Sequence, residues 1–339
     1  MTTQDQKSVN QELIGVGAGY IKSMVLIAGC ELDIFSKLIA EPGLTLDDLC
    51  AKHSFAARPL DYLLGSLVAQ GYLEKRDGKF FVQEKYKSAL DLNSPTSVAH
   101  MLRHQGSCLR GWSQLAYTVA YGAPAPYLVG VNGAEAEGVD FILAMNDIAE
   151  SLAPTVAGRL KERGLLNFTR LLDLGGASGT YSRALLDANA NPDATAIIFD
   201  RPVGIAEARA KMSETRFADR VDFYSGDFYV DPYPKDVDFV WISAIIHQQD
   251  EDATKLMFEN PYDALRADGR VAIRDVFINA AHDGPVAATT FGLNMAVRTQ
   301  AGMVYESDRV IALLGEVGFR NARLALPADD MTAVIVAEK

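Results

Sequence analysis

The spacing of apolar and polar positions changes character once along the chain, around residues 95–165. Before that stretch it predicts short helices. After it, apolar runs of strand length alternate with helical segments. In the first part, residues 19–30 and 31–38 read as helices. Thr45 then stands as an N-cap, with Asp47 and Asp48 in the following first turn, where negative charge meets the positive helix end. The next helix, ARPLDYLLGSLVAQ, carries Leu60, Leu63, Leu64, Leu67 and Val68 at helical spacing and stops at Gly71. Two short strands, GYLEKR and KFFVQE, are joined by Asp77-Gly78, a hairpin-turn pair. Helix, turn, helix and hairpin together predict a winged helix. Long helices follow over residues 97–160, interrupted by a Pro-rich turn at 122–126.

From residue 169 the pattern predicts an α/β domain. Apolar runs fall at 170–174, 196–200, 221–224, 237–242 and 270–276, with helical segments such as TYSRALLDAN and VGIAEARAKM between them. Such alternation builds a mostly parallel sheet with right-handed crossovers. FRNARLALP and MTAVIVAEK are separated by a short polar turn only, and predict an antiparallel hairpin at the sheet edge. No repeat or low-complexity segment occurs. The division expected is 1–100 for the winged helix, 101–160 for linking helices that border an active site, and 161–339 for the α/β domain.

The strongest chemical signal is LLDLGGASGTYSRALL. A strand ends at Asp173-Leu174, a loop carries Gly175, Gly176 and Gly179, and a helix begins. Glycines let a backbone approach a ligand closely and turn into a helix N-terminus. Asp200 ends the next strand, where an acid can bind ribose hydroxyls. The alternative is a glycine turn without a ligand. The loop departs from the dinucleotide pattern G-x-G-x-x-G. Gly15, Gly17 and Gly19 match that pattern better, but no strand precedes them, and close helix packing is the expectation there.

Composition narrows the picture. Hydrophobic residues make up 49% and charged residues 22% of the 339, which excludes a disordered or collagen-like chain. The net charge of −12 repels phosphate backbones unless basic residues are concentrated locally. The winged-helix part holds 10 Lys/Arg and 12 Asp/Glu, and its second helix offers one basic residue, Arg58. A groove-reading helix needs several basic or amide side chains. A dimerisation scaffold is therefore expected there rather than a DNA-binding regulator. Residues 24–30, the strongest apolar stretch near the start, are too few to span a bilayer. The polar opening MTTQDQKSVN predicts no signal peptide. Cys30, Cys50 and Cys108 are too scattered for a disulfide framework or a zinc site, so a reducing cytoplasm and no metal are expected.

In order, DLGGASG, the FD at 199–200, the GDF at 226–228, ISAIIHQQDED and ALRADGRVAIRD resemble the motifs of class I S-adenosylmethionine (SAM) methyltransferases. More closely, nearly the whole chain resembles the dimeric small-molecule family that includes plant caffeate and isoflavone O-methyltransferases and bacterial antibiotic methyltransferases. The resemblance implies a Rossmann-like SAM domain with a seven-stranded sheet, a homodimer through the N-terminal domain, and a small-molecule acceptor. It implies that Gly175 lies against the methionine part of SAM, that Asp200 holds the ribose, and that Asp227 lies near the adenine amino group. Phe228 takes the place of a methionine beside the adenine. Ser243 falls where plant members carry lysine, and His247 matches the catalytic histidine. Gln105, Trp112, Met145, Asn146, Asn294 and Met295 match segments of the pocket wall, with ordinary helix packing as the alternative.

The departures bear on the acceptor. A phenol must lose a proton, and a histidine suits that task. In the family an aspartate follows the histidine and two glutamates flank it. Here Gln248 and Gln249 follow His247, Asp275 takes the first glutamate position, and the second falls near Val304. A thioether sulfur needs no base. The chain is compatible with the family's bacterial enzymes that S-methylate 4-methylthio-2-hydroxybutyrate on the route to dimethylsulfoniopropionate. S-methylation is therefore the expectation, with O-methylation of a phenolic or enolic hydroxyl as the alternative. A non-methylating SAM-binding protein is a further alternative. Arg103, Arg110, Arg274 and Arg298 are candidates to anchor a substrate carboxylate, against surface ion pairing.

Overall fold

The structure, a computed structural model, describes residues 3–339, with side chains from residue 6 onward; Met1 and Thr2, at the start of the polar opening, lie outside the described residues. The chain forms two compact units. Of the described residues, one holds those up to Arg110 and Leu128–Met145, the other Gly111–Tyr127 and Asn146–Lys339. The expected linking helices are thus divided between the two units rather than forming a segment of their own.

The N-terminal unit runs α1 (Thr3–Gly17), α2 (Tyr20–Glu31), α3 (Ile34–Ala40), β1 (Leu44–Thr45), α4 (Leu46–His53), α5 (Ala57–Ala69), β2 (Leu73–Arg76), β3 (Lys79–Val82) and the short α6 (Lys87–Leu90). Thr45 caps α4 reciprocally. Its hydroxyl accepts from the Asp48 amide while the Asp48 carboxylate accepts from the Thr45 amide. Asp77 and Gly78 both adopt positive φ, as a tight hairpin requires. The hairpin sets Arg76 opposite Lys79, and β1 completes a three-stranded sheet in the order β1-β3-β2. Leu60, Leu64 and Leu67 of α5 are buried with Phe35, Leu49 and Phe80. The leucine face of the second helix therefore serves the core.

Two expectations are corrected here. Residues 6–31 form a helical run in which an 18-residue window has a mean hydropathy of 1.7, long and apolar enough, by length and composition only, to cross a membrane. It is broken at Ala18-Gly19, and Ile27 and Cys30 at its far end are buried in the unit's own core. Leu13, Ile14, Val16, Tyr20 and Ile21 are exposed on it. Gly15 and Gly17 face open space, so close helix packing is not their role within this chain.

The helices α7 (Ala99–Trp112), α8 (Leu115–Tyr121) and α9 (Gly133–Glu162) come next. The second unit continues with β4 (Arg170–Leu174), α10 (Thr180–Ala188), β5 (Thr195–Asp200), α11 (Pro202–Met212), β6 (Val221–Ser225), β7 (Val237–Ser243), α12 (Glu251–Ala264), β8 (Leu265–Asp275), α13 (Val286–Arg298), α14 (Ser307–Val317), β9 (Arg320–Leu326) and β10 (Ala333–Glu338). The strands form one seven-stranded sheet, β6-β5-β4-β7-β8-β10-β9. The first five are parallel, whereas β10 pairs antiparallel with both β8 and β9. The C-terminal hairpin is thus inserted, with only β9 at the edge. Apolar layers cover both faces. Trp241, Ala272 and Leu185 lie on one side, and Val240, Ile273 and Phe258 on the other, which explains why the central strands read as continuous apolar runs.

Candidate active site

From β4 the chain steps outward through β5 and β6, and from β7 it steps the other way through β8. The strand order reverses between β4 and β7, so their C-terminal ends open a crevice. Gly175 and Ser243 stand on its two sides. Gly175 has φ +65, and a Cβ there would come within 2.5 Å of the Ile245 side chain and 3.7 Å of the Phe228 ring. Only glycine allows this turn and this approach. The Asp200 carboxylate closes the next strand end, accepting the Ala177 amide at 2.7 Å and the Arg201 amide at 2.6 Å. Asp227 is exposed, and its Oδ1 accepts the Tyr229 amide at 2.9 Å. The half-buried Phe228 ring stands edge-on to Phe199 and beside Tyr229, 4.8 Å away. A glycine cradle, an anchored acid, a second acid and an aromatic face fit the amino acid, ribose and adenine parts of one nucleoside ligand.

Below the loop lies Asp173, 1% exposed, which accepts the Ser182 hydroxyl at 2.7 Å. Burial pushes its carboxyl up to about 7; the Ser182 hydrogen bond offsets part of this and the nearby Asp200 adds to it. The native pKa lies above the unfolded value of about 3.9. The stability that the protonated form contributes is full below about pH 4 and is lost as pH rises through about 7. Asp173→Asn keeps the shape and cannot ionise. Thermal unfolding should show the variant equal to the parent at pH 4 and more stable at pH 8, by up to about 4 kcal/mol. A difference unaffected by pH would contradict this.

Beyond β7, a turn of 3-10 helix at Ile246–Gln248 presents His247. Its Nδ1 lies 2.9 and 3.0 Å from the two carboxylate oxygens of Asp275, the last residue of β8. Asp275 is 1% exposed, and its Oδ1 also accepts the Val276 amide at 2.8 Å. An ionised carboxylate only accepts, so Nδ1 is the donor and Nε2 carries the lone pair. Phe291 stands edge-on to the imidazole at 4.8 Å. A Cβ at Gly302 would come within 2.8 Å of the His247 carbonyl, so glycine is needed there too. Val304 is buried against Val276, Ala288 and Phe291, so the second acid position is an apolar contact.

A family model described as the O-methyltransferase domain matches residues 103–320, and one described as the O-methyltransferase dimerisation domain matches residues 16–90. The chain belongs to the O-methyltransferase family. It is similar to acetylserotonin O-methyltransferase of Bos taurus, 29% identical over 336 residues that cover 94% of each chain. It is also similar to the SAM-dependent methyl transferase PigF of a Serratia strain, 25% identical, covering 100% of this chain and 97% of PigF. The solved structure of human N-acetylserotonin methyltransferase in complex with SAM matches with a TM-score of 0.75 at 25% identity, covering 98% and 97% of the two chains. The protein is a SAM-dependent methyltransferase with the Rossmann-like fold of that family.

Of the remaining anticipated residues, Trp112 and Asn294 meet in this methyltransferase, the indole N–H donating to the Asn294 carbonyl oxygen at 2.9 Å. Asn146 is tied to the glycine loop, accepting from the hydroxyls of Ser178 at 2.7 Å and Thr180 at 3.1 Å. Met295 is buried on α13. Gln105 and Met145 belong to the N-terminal unit, where Gln105 is exposed along a surface cleft of about 510 Å³ with Lys22, Leu26 and Tyr72. Ser243 accepts a hydrogen bond from Arg274. Arg103 donates to the Cys30 carbonyl, and Arg110 pairs with Glu31 and Glu137. Phe291 went unanticipated because its partner is 44 residues away and nothing in the local pattern marks it. Asp173 could have been singled out as an acid inside an apolar strand that ends at the glycine loop.

Proposed function

We propose that this methyltransferase methylates an acidic hydroxyl, phenolic or enolic, on a small molecule. The observation that carries the reading is the buried His247–Asp275 pair, an assembled base and its orienting acid. SAM, when bound, supplies an activated methyl group on a sulfonium sulfur. The protein positions the acceptor, and His247 Nε2 takes the hydroxyl proton as Asp275 steadies the resulting imidazolium. Alignment contributes the rest of the rate. Residues Gly175, Asp200, Asp227 and Phe228 hold the cofactor. The names of the acetylserotonin O-methyltransferase relative and of a Streptomyces tetracenomycin 8-O-methyl transferase 26% identical to this chain agree with an oxygen acceptor.

Methylation of a thioether sulfur, as in 4-methylthio-2-hydroxybutyrate, is the second reading. It is favoured by Val304, which leaves the base with one acid instead of two. Incubation with labelled SAM and either catechol-type phenols or 4-methylthio-2-hydroxybutyrate, followed by mass spectrometry, separates the two. Labelled methyl ethers and no sulfonium product are expected. A labelled sulfonium alone would replace the hydroxyl reading.

We further propose a cytoplasmic homodimer. The exposed apolar residues of α1 and α2 lie in and beside the segment matched as a dimerisation domain, and a second copy would cover them. Light scattering should give the mass of two chains. Cys30, Cys50 and Cys108 form no disulfide among the described residues, which fits a reducing compartment.

A further inference from the structure

Arg274 is 3% exposed, yet none of the ion pairs among the described residues includes it. Buried charges are ordinarily paired, because an unpaired one loses its hydration without return. Its Nε donates to the Met331 carbonyl at 2.5 Å, and one Nη donates to the Ser243 hydroxyl at 2.7 Å. The second contact follows from register, since Ser243 and Arg274 are neighbours on parallel β7 and β8. Most donors of the guanidinium fork remain unused. The guanidinium lies over the Tyr181 ring, 4.9 Å from its centre.

Tyr181 opens the second position of α10, directly after the glycine loop. It is 7% exposed, and its hydroxyl has no hydrogen-bond partner. Its ring packs 5.3 Å from that of Trp241, whose indole N–H is likewise buried and unpartnered. A cation outside every ion pair among the described residues, with the exposed Asp330 carboxylate acting on it only from a distance, and two orphaned donors therefore gather around one ring, at the C-terminal ends of β7 and β8 and beside the cofactor loop. Groups that can all donate suit an anionic acceptor, and a guanidinium fork suits a carboxylate above other anions of that size. The methionine portion of the cofactor, which the adjoining glycine loop is proposed to hold, carries such a carboxylate.

We propose that Arg274, with Tyr181 and Ser243, forms the subsite for the α-carboxylate of the cofactor's methionine portion. The proposal rests on the SAM assignment and adds to it a binding residue outside the glycine loop and the two acids. Arg274 lies one residue from Asp275 but on the opposite face of β8, so it serves the cofactor while Asp275 serves His247.

Calorimetry with S-adenosylhomocysteine and with 5′-methylthioadenosine, which lacks the amino acid portion, tests it. Arg274→Met should weaken S-adenosylhomocysteine about ten- to hundredfold and leave 5′-methylthioadenosine unchanged, as expected for loss of a charge-assisted pair. Arg274→Lys should recover part of the loss. An Arg274→Met protein that keeps the parent's preference between the two ligands overturns the proposal. So does equal weakening of both, which would mark a structural role. Should Arg274→Met fail to fold, Tyr181→Phe removes only the orphaned hydroxyl. It should weaken S-adenosylhomocysteine about three- to tenfold with no effect on 5′-methylthioadenosine, and an unchanged preference there is equally decisive against the subsite. Failure of the unaltered protein to bind S-adenosylhomocysteine would instead end the cofactor assignment itself.

Discussion

Replacing His247 with alanine should lower kcat toward a hydroxyl acceptor by about 10²–10⁴, the range for loss of a positioned base. Binding of S-adenosylhomocysteine should stay near its parent value, because His247 sits with Asp275 and Phe291 rather than with the cofactor acids. The rate of the variant should also lose the rising limb of its pH profile. Asp275→Asn provides the companion test. The amide can donate as well as accept, so it no longer dictates which imidazole nitrogen carries the proton. A loss of comparable order is expected, with the fold retained if the Val276 amide keeps its acceptor. Steady-state kinetics of the two variants should converge, since both disable one unit. An alanine variant with nearly full activity on a phenol would remove His247 from the chemistry and favour an acceptor with no proton to lose.

The second large effect is expected at Asp200. Its carboxylate is held by the Ala177 and Arg201 amides, so it is fixed before any ribose arrives and little ordering accompanies binding. Asp200→Ala should weaken SAM by about 1.5–3 kcal/mol through loss of charge-assisted hydrogen bonds. The glycine loop loses the same acceptor, which adds to the effect. Asp227→Ala should act in the same direction and less strongly, because Asp227 is exposed to water that competes for its hydrogen bonds. Calorimetric titration of both variants checks the order. Unchanged affinity in both would dissolve the cofactor constellation.

Local chemistry made some of this structure legible and hid other parts. The Thr45 cap, the Asp77-Gly78 hairpin and the α5 leucine face are set by residues within a few positions of one another, and each element forms where the pattern predicts it. The parallel strands were legible because burial on both faces leaves uninterrupted apolar runs. The helix α1 was not, since its polar opening carries no apolar period. The start of β8 was hidden for a similar reason: Arg266, Ala267, Asp268 and Gly269 look like a turn, yet they lie within the strand, across a register shift between Val237 and Phe239 of β7. At the site, the loop and the acids could be read from their order along the chain. The support that Asp275 gives His247 depends on the end of β8 meeting the turn that follows its neighbour β7, 28 residues away in the chain. Among the arginines, residue type alone could not separate Arg110, which finds two glutamates, from Arg274, which finds none.

The placement of β10 carries a consequence for how the enzyme is made. Ala333 lies opposite Asp275 and Val334 opposite Arg274, so the strand that steadies both residues is synthesised after β9 yet sits inside it. While translation proceeds, β8 remains an open edge with unsatisfied backbone groups until residues 333–338 emerge from the ribosome. Asp275 is among the last parts of the domain to be locked. A nascent chain stalled before residue 333 should hold the N-terminal unit folded and the sheet incomplete, exposed to other strands and in need of a chaperone's protection.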